Sequence, residues 1–321
     1  IGVMQEVPNA AKRQAREEVA DAAIARVEAE RKLVQLTIRR ETALAWLNRY
    51  HLERKQALFD ELDQQNRLLA EAVRAQVAGG RGTAADAIAP RQEAVMLAER
   101  RDELARDLAI SKSALRRWLG AAGDEPLLGE PPSYPIDGTH LQHRLDLHPE
   151  LAVFSPMAAM ARAEVKEAEA GRRPDWGVEF AYQHRAPQYG DMVSVQFSFD
   201  LPIFQSTRQS PQIAAKQAEL ARIDAEREAM LREHRQTLEA DLAEYARLDR
   251  AADRQAKEII PLAQQKAELQ MDGYRTSKVA LTEVIVARRE LTETRLRQID
   301  LESQRAQLAA RLHFAFGEDQ Q

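Results

Sequence analysis

The apolar positions of this chain fall into long helical stripes, interrupted near the middle by a stretch of a different period. Val27, Val34, Ile38 and Ala45 are spaced 7, 4 and 7, and Leu58, Leu62, Leu69 and Val73 are spaced 4, 7 and 4. Such steps hold one face of a helix apolar, as in a coiled coil. They predict a helix from about Ala10 to Val77, and a helix of ~65 residues is ~100 Å long. Leu231, Leu238, Leu242, Tyr245, Ala252, Ala256 and Ile259 predict a second long helix. Pro261 interrupts it with a kink or bulge, because proline removes a backbone donor. A helix this long needs neighbours along its whole length, and its Ala-rich stripe lets them come close.

Each long helix is followed by a turn and a shorter helix. The turns are read as Gly79-Gly80-Arg81-Gly82 and Asp272-Gly273-Tyr274-Arg275, since glycine permits the positive φ that ends a helix. Thr83-Ala84-Ala85-Asp86 has the spacing of a capping box. The returning helices run from about Ala84 to Leu119 and from about Lys278 to Phe316. Between the two hairpins, residues 120–147 hold Pro126, Pro131, Pro132 and Pro135 with several glycines and read as a connector. A helical pattern follows from His148 to about Gly171.

The period then drops to two. Trp176, Val178, Phe180 and Tyr182 alternate with Gly177, Glu179, Ala181 and Gln183. After the turn Ala186-Pro187-Gln188-Tyr189-Gly190, Val193, Val195, Phe197, Phe199 and Leu201 alternate with Ser194, Gln196, Ser198 and Asp200. This is a β-hairpin with one apolar, aromatic face. Strands of ~10 residues cross a bilayer when tilted. Alternation alone favours the commoner case, a half-buried hairpin laid over a soluble core, but the chain offers little else for the apolar face to cover, and lipid suits it.

The two halves repeat each other about 197 residues apart. Arg91/Arg288, Glu93/Glu290, Arg100/Arg297, Leu104/Leu301, Ala109/Ala306, Leu115/Leu312 and Gly120/Gly317 match in identity, and Arg81/Lys278 and Asp86/Glu283 match in charge. Upstream, Gln5-Glu6-Val7-Pro8 lies opposite Phe199-Asp200-Leu201-Pro202, the offset slipping to 194 through a small insertion in one half.

Composition sharpens this picture. The 321 residues are 30% charged and only 5% aromatic, which suits long solvated helices better than a globular core. A net charge of −5 without a basic, aromatic-interleaved patch argues against nucleic acid. There is no cysteine, hence no disulfide and no thiolate metal site. No run approaches the ~18 apolar residues of a spanning helix. Ile1–Pro8 lacks the basic start and apolar core of a signal peptide. No phosphate loop, nucleophile elbow or acid pair on a strand end is present, so neither an enzyme nor a cofactor is expected. Arg116-Arg117 and Arg288-Arg289 read as solvated helix faces.

Several stretches, in this order and spacing, resemble the TolC-like outer-membrane efflux proteins. They are His148-Pro149-Glu150-Leu151, Arg173-Pro174-Asp175, Ser198-Phe199-Asp200-Leu201-Pro202-Ile203-Phe204, Ile260-Pro261-Leu262-Ala263, Gly273-Tyr274-Arg275 and Leu281-Thr282-Glu283-Val284. The resemblance covers nearly the whole chain, with a flavour closest to the CzcC/CusC-like heavy-metal branch. It implies a mainly α fold of two tandem long antiparallel coiled-coil hairpins, of α-barrel type, with a small transmembrane β-hairpin. Residues 1–8 would end a barrel strand and 9–119 form the first hairpin. Residues 120–147 would be the equatorial connector, 148–172 a helix and 173–204 the barrel hairpin. The second hairpin would span 205–317, with a tail at 318–321.

The family's function implies a passive exit duct in the bacterial outer membrane, most of it in the periplasm and possessing no catalytic site. Its partners would be two further copies in a homotrimer, outer-membrane lipid, a periplasmic adaptor and an inner-membrane pump of the RND type. Each protomer of the family gives four strands to the barrel, so this chain is expected to lack an N-terminal region with the helix and strand that would precede its first half, a signal sequence and, in the metal-export branch, a lipid-bearing cysteine.

The same resemblance places the helix turns at the periplasmic tips that meet the adaptor. Its motif, a small residue followed six positions on by an acid, fits Gly80 with Asp86 and Ser277 with Glu283; Arg81, Thr83, Tyr274, Arg275 and Lys278 lie in the same turns. Ser277 stands where glycine is usual. Gly80 as a mere helix terminator and Asp86 as a mere cap explain the first turn equally well, and both roles can hold together. His140, His143 and His148 near Asp146 could ligate a metal, but a polar connector explains them more simply, and no metal site is assigned. Met157 and Met160 read as packing. A periplasmic adaptor, with its single helical hairpin, and a purely structural coiled coil are the competing readings; tandem hairpins count against the first and the period-two segment against the second.

Overall fold

The computed structural model describes residues 1–80, 82–186 and 188–315. Arg81, Pro187 and Phe316–Gln321 lie outside the described residues, and with them the predicted end of the last helix, Gly317 of the repeat and the tail. In chain order the elements are β1 (Gly2–Val7), α1 (Ala10–Ala78), α2 (Ala84–Leu119), α3 (Gly138–His143), α4 (Pro149–Ala152), α5 (Phe154–Ala170), β2 (Asp175–Gln183), β3 (Met192–Asp200), α6 (Gln209–Arg254), α7 (Ile260–Arg275) and α8 (Leu281–Ala315). Short 3-10 turns occupy Gly120–Asp124 and Leu145–Leu147. Among the described residues no helix is long and apolar enough to cross a membrane. The chain forms two compact units: Ile1–Gln35 with Gln142–Gln236, and Leu36–Leu141 with Thr237–Gln321.

The first unit is a three-stranded antiparallel sheet, order β1-β2-β3, joined to helices. Its helical core is built mostly from small side chains: Ala15, Ala22, Ala158, Ala161, Ala163 and Ala170 are buried with Ile213 and Ile223. Met157 packs into this core beside Phe154. Ion pairs flank the alanine seam, Arg16–Glu167 at 2.7 Å, Lys166–Glu18 at 2.6 Å and Lys216–Glu164 at 2.6 Å. Asp175 ties sheet to helices. Its carboxylate accepts from the Asn9 backbone N–H at 2.8 Å and pairs with Lys12 at 2.7 Å. Asn9 in turn caps α1 by accepting from Lys12 N–H at 3.0 Å and donates to the Ala170 carbonyl at 3.1 Å.

In the sheet, Trp176, Val178, Phe180 and Tyr182 stand opposite Phe199, Phe197, Val195 and Val193, and Val7 and Val3 extend the row on β1. These side chains share one face because strand residues alternate. The face is open: Phe197 is 63% and Phe199 67% exposed. The other face carries Glu179 against Gln196, Ala181 against Ser194 and Gly177 against Ser198.

The second unit packs the C-terminal part of α1 with α2, the C-terminal part of α6, α7 and α8 as two antiparallel hairpins. One apolar cluster gathers Phe59, Leu97, Leu104 and Leu108 with Leu296. Another sets Leu47 (0% exposed), Ala310 and Phe314 under Tyr134 of the connector. Buried Arg49 donates to the Gly123 carbonyl at 2.9 Å and pairs with Glu53 at 2.8 Å, fastening the end of the first hairpin onto α1. Lys55–Asp300 at 2.5 Å and Arg289–Glu93 at 2.7 Å link the hairpins, as does an Arg54–Glu302 pair.

Four sequence expectations need correction. Val27, Val34 and Ile38 are exposed, so these three positions of the first stripe of α1 are left open among the described residues, whereas Leu69 and Val73 of the second are buried. Ala252 is buried as predicted, but Ala256 and Ile259 face outward. The cause is a π-helical turn at Gln255–Ile259, just before Pro261. Its wider turn shifts the inward face, so that Gln255 is buried and donates to the Thr294 carbonyl at 2.9 Å, and Ala263 and Ala267 resume the seam. Arg288-Arg289 is not a solvated face: Arg288 donates to Gln65 at 2.9 Å in a site where burial pulls its pKa down against the opposing charge of Glu93. Finally, Asp272–Arg275 is the end of α7, not a turn, and α8 begins at Leu281 instead of Lys278.

Candidate functional site

Both hairpin turns lie in the second unit and share one backbone design. The first long helix ends with Gly80 at φ +72, its N–H donating to the Val77 carbonyl at 3.1 Å. The second ends with Ser277 at φ +55, its N–H donating to the Tyr274 carbonyl at 3.0 Å, while Lys278 N–H donates to the Gly273 carbonyl at 2.8 Å. This is the Schellman pattern, in which a left-handed residue lets the last carbonyls be satisfied. Gly80 and Ser277 therefore occupy equivalent places, as the repeat requires. Nothing would meet a Cβ on Gly80 within 4 Å, so its need for glycine is conformational. Gly273 serves a different purpose from the turn glycine expected of it: a Cβ there would stand 2.5 Å from Val279 Cγ2, so glycine lets the returning chain lie against α7.

An L-residue pays for the left-handed region with about 1 kcal/mol or more. Ser277→Gly is expected to raise stability by about 1 kcal/mol, read by chemical denaturation; an unchanged or lower midpoint would show that the serine is held by something other than backbone geometry.

The returning helices start differently. Thr83 and Asp86 form a complete capping box: Asp86 N–H donates to Thr83 Oγ1 at 3.2 Å, and the Asp86 carboxylate accepts from Thr83 N–H and Oγ1, both at 2.8 Å. The backbone and side-chain hydrogen bonds from Thr83 hold the Asp86 carboxyl below the usual carboxylate range. At the other turn Ala280 stands where Thr83 does and has no hydroxyl; Glu283 N–H donates to the Ala280 carbonyl at 3.1 Å, and the Glu283 side chain is exposed. Asp86 thus has a structural role, and Glu283 lacks the hydroxyl partner that would give it the same one.

The structure brings the two turns together. Leu69, Val73 and Val77 of α1 pack with Ala89 of α2, Met271 and Tyr274 of α7 and Leu281 and Ile285 of α8. Burial pushes the Tyr274 phenol up, and the charge of Asp86 adds to this, so residues of the two turns lie within electrostatic range. Arg275 reaches Asp272 at 3.2 Å, and both are exposed. Arg81 lies outside the described residues. An open groove of about 720 Å³ runs below the turns between α1, α7 and α8, lined by Gln65, Ala72, Gln264, Glu268, Tyr274 and Arg288 among others. Val73 stood in the predicted stripe of α1, but that it joins the turns by packing with Met271 and Ile285 escaped the sequence reading.

His140 and His143 are exposed on α3. His148 instead lies beside Glu150 and His234.

No protein-family model matches the sequence, and no curated protein matches it. Solved structures do. The outer membrane protein VceC of Vibrio cholerae superposes with a TM-score of 0.81 at 18% identity, covering 98% of this chain and 78% of that one. A membrane protein from Pseudomonas aeruginosa gives 0.85 at 16% identity, covering 98% and 76%. CusC, from a study of transmembrane channel formation, gives 0.84 at 15% identity, covering 99% and 82%. The fold is that of the TolC-like channels. In that fold the tandem hairpins and the small sheet belong to one architecture, which a single-hairpin adaptor or a plain coiled coil does not provide.

Proposed function

We propose that this chain is the outer-membrane channel component of a tripartite efflux system. The observation that carries this reading is the open apolar face of the sheet, within a fold shared with outer membrane channels over 98% of the chain. A row of Trp, Phe, Tyr and Val left in water would be a strong aggregation liability; against lipid it is the outer wall of a barrel segment. The exposed stripe Val27, Val34 and Ile38 supports assembly with further copies of the chain, a homotrimer in which neighbouring protomers cover it. The turns carrying Gly80, Thr83, Asp86, Tyr274, Arg275, Ser277, Lys278 and Glu283, with Arg81, are then the surface offered to a periplasmic adaptor, which couples the duct to an inner-membrane pump of the RND type. Export of heavy-metal cations is the finer reading and rests on the overall flavour of the sequence, which resembles the CzcC/CusC-like branch.

The complete protein purified in mild detergent is expected to run as a trimer and to give stepwise ion conductance in a planar lipid bilayer. A water-soluble monomer that leaves the bilayer silent would overturn the proposal.

A further inference from the structure

We propose that His148, Glu150 and His234 form a binding site for a late first-row divalent cation of the Zn²⁺ or Cu²⁺ class. All three residues belong to the first compact unit, and the inference is independent of the channel reading. His148 precedes α4, where Pro149 starts the helix and sets the backbone direction; Glu150 follows within the first turn. His234 comes from the long helix α6. Their donor atoms lie within 4.8 Å of one another. His148 is 8% exposed, and its ring stacks on that of His234 with centroids 3.9 Å apart.

The chemistry follows from His234 Nε2. This atom is enclosed and makes no hydrogen bond, although Glu150 Oε2 lies 3.1 Å away. The two approach at a distance that suits a hydrogen bond but without its alignment. In the neutral imidazole with a proton on Nδ1, two lone-pair-bearing atoms face each other and repel. A cation resolves this without alignment, because it sits to one side of the N···O line and draws both lone pairs toward itself. Metal bonds of ~2.0–2.1 Å in a tetrahedral site leave ligand atoms ~3.3 Å apart, close to the separation found. The third donor is a ring nitrogen of His148, within 4.8 Å of the other two. Its Nδ1 now accepts from Glu150 N–H at 3.2 Å. Either ring nitrogen can serve, and in both cases that hydrogen bond is given up: Nδ1 would use the same lone pair, and Nε2 would leave the proton on Nδ1. The loss of one such bond costs about 1 kcal/mol, small beside a metal–imidazole bond.

Two imidazoles and a carboxylate select zinc, copper or nickel over magnesium or calcium, which prefer oxygen sets. Three protein ligands leave a fourth position for water or an exchanging ligand. The Glu150 side chain is 40% exposed, so the site is open to solvent.

Isothermal titration of the metal-free full chain with Zn²⁺ alone, then Cu²⁺ alone, tests this. One strong site per chain is expected, with Mg²⁺ giving none. Glu150→Gln and His234→Gln should each weaken binding by more than the ~10–100-fold typical of losing an outer-shell partner. The exposed pair His140→Gln and His143→Gln should leave it unchanged. Circular dichroism identifies any variant that fails to fold, and Glu150→Gln, at a half-exposed position, keeps the test open if His234→Gln does so. Equal affinity in the wild type and a folded Glu150→Gln variant, or no strong Zn²⁺ or Cu²⁺ site in the wild type, would overturn the assignment.

Discussion

Exchanging both Asp86 and Glu283 for Lys in the complete protein is expected to abolish export-dependent resistance while the protein still folds and assembles. The structure bounds the folding cost. Loss of the Thr83–Asp86 capping box costs ~0.5–2 kcal/mol, and a Lys in the first turn of each returning helix opposes the helix dipole by a further ~0.3–1 kcal/mol. Neither acid carries core packing: Asp86 is only partly covered and Glu283 is exposed. Such a loss lowers the melting temperature by only a few degrees in a protein of this size. On the proposed function the cost to export is far larger, because reversing two charges at the adaptor-facing turns would replace charge-assisted hydrogen bonds with repulsion. The single variants divide the roles. Glu283→Lys, which has no capping box to break, should lose resistance with almost no thermal shift, whereas Asp86→Lys should show both effects. Resistance unchanged in the double variant would remove these acids from the coupling surface. Loss of folding would assign Asp86 to capping alone.

The second large effect is expected on the sheet. Phe180 stands opposite Val3 and Val195, and Phe197 opposite Val178, all on the open apolar face. An Arg on the lipid face of a barrel costs ~2–4 kcal/mol near the bilayer midplane. Phe180→Arg combined with Phe197→Arg should therefore prevent stable insertion, which can be followed by the fraction of protein recovered in outer-membrane vesicles. Gln196→Arg is the internal control: Gln196 pairs with Glu179 on the opposite, polar face, and its substitution should leave insertion intact. Normal insertion of the double-Arg protein would show that the apolar face meets protein, not lipid.

Much of the architecture was legible from period alone. A 3.6-fold stripe held over dozens of residues marks a long helix, and the two alternating runs, 176–183 and 193–201, mark paired strands. The capping box was legible because Thr83 and Asp86 act within one turn of chain. The second turn was misread for an equally local reason. Gly273 looked like the terminator, yet the left-handed position fell to Ser277, since a glycine can be selected for close approach as well as for positive φ, and only the path of Val279 tells the two apart.

What the residues determined by themselves was therefore every feature that depends on neighbours within a helical turn or on a repeating period: the long helices, the two strands, the first cap and the equivalence of the two halves. What only the tertiary structure decided was which apolar stripe is covered and which polar groups meet. Val27 and Leu69 carry the same kind of signal in α1, but one is exposed and the other buried, because burial depends on which helix comes to lie alongside. The π turn before Pro261 moved the inward face from Ala256 to Gln255, a shift of register that no fixed period can announce. Likewise His148 has sequence neighbours in His140 and His143, but it finds its partner in His234 of α6, a helix whose Ile223 packs against Ala158 and Ala161 of α5.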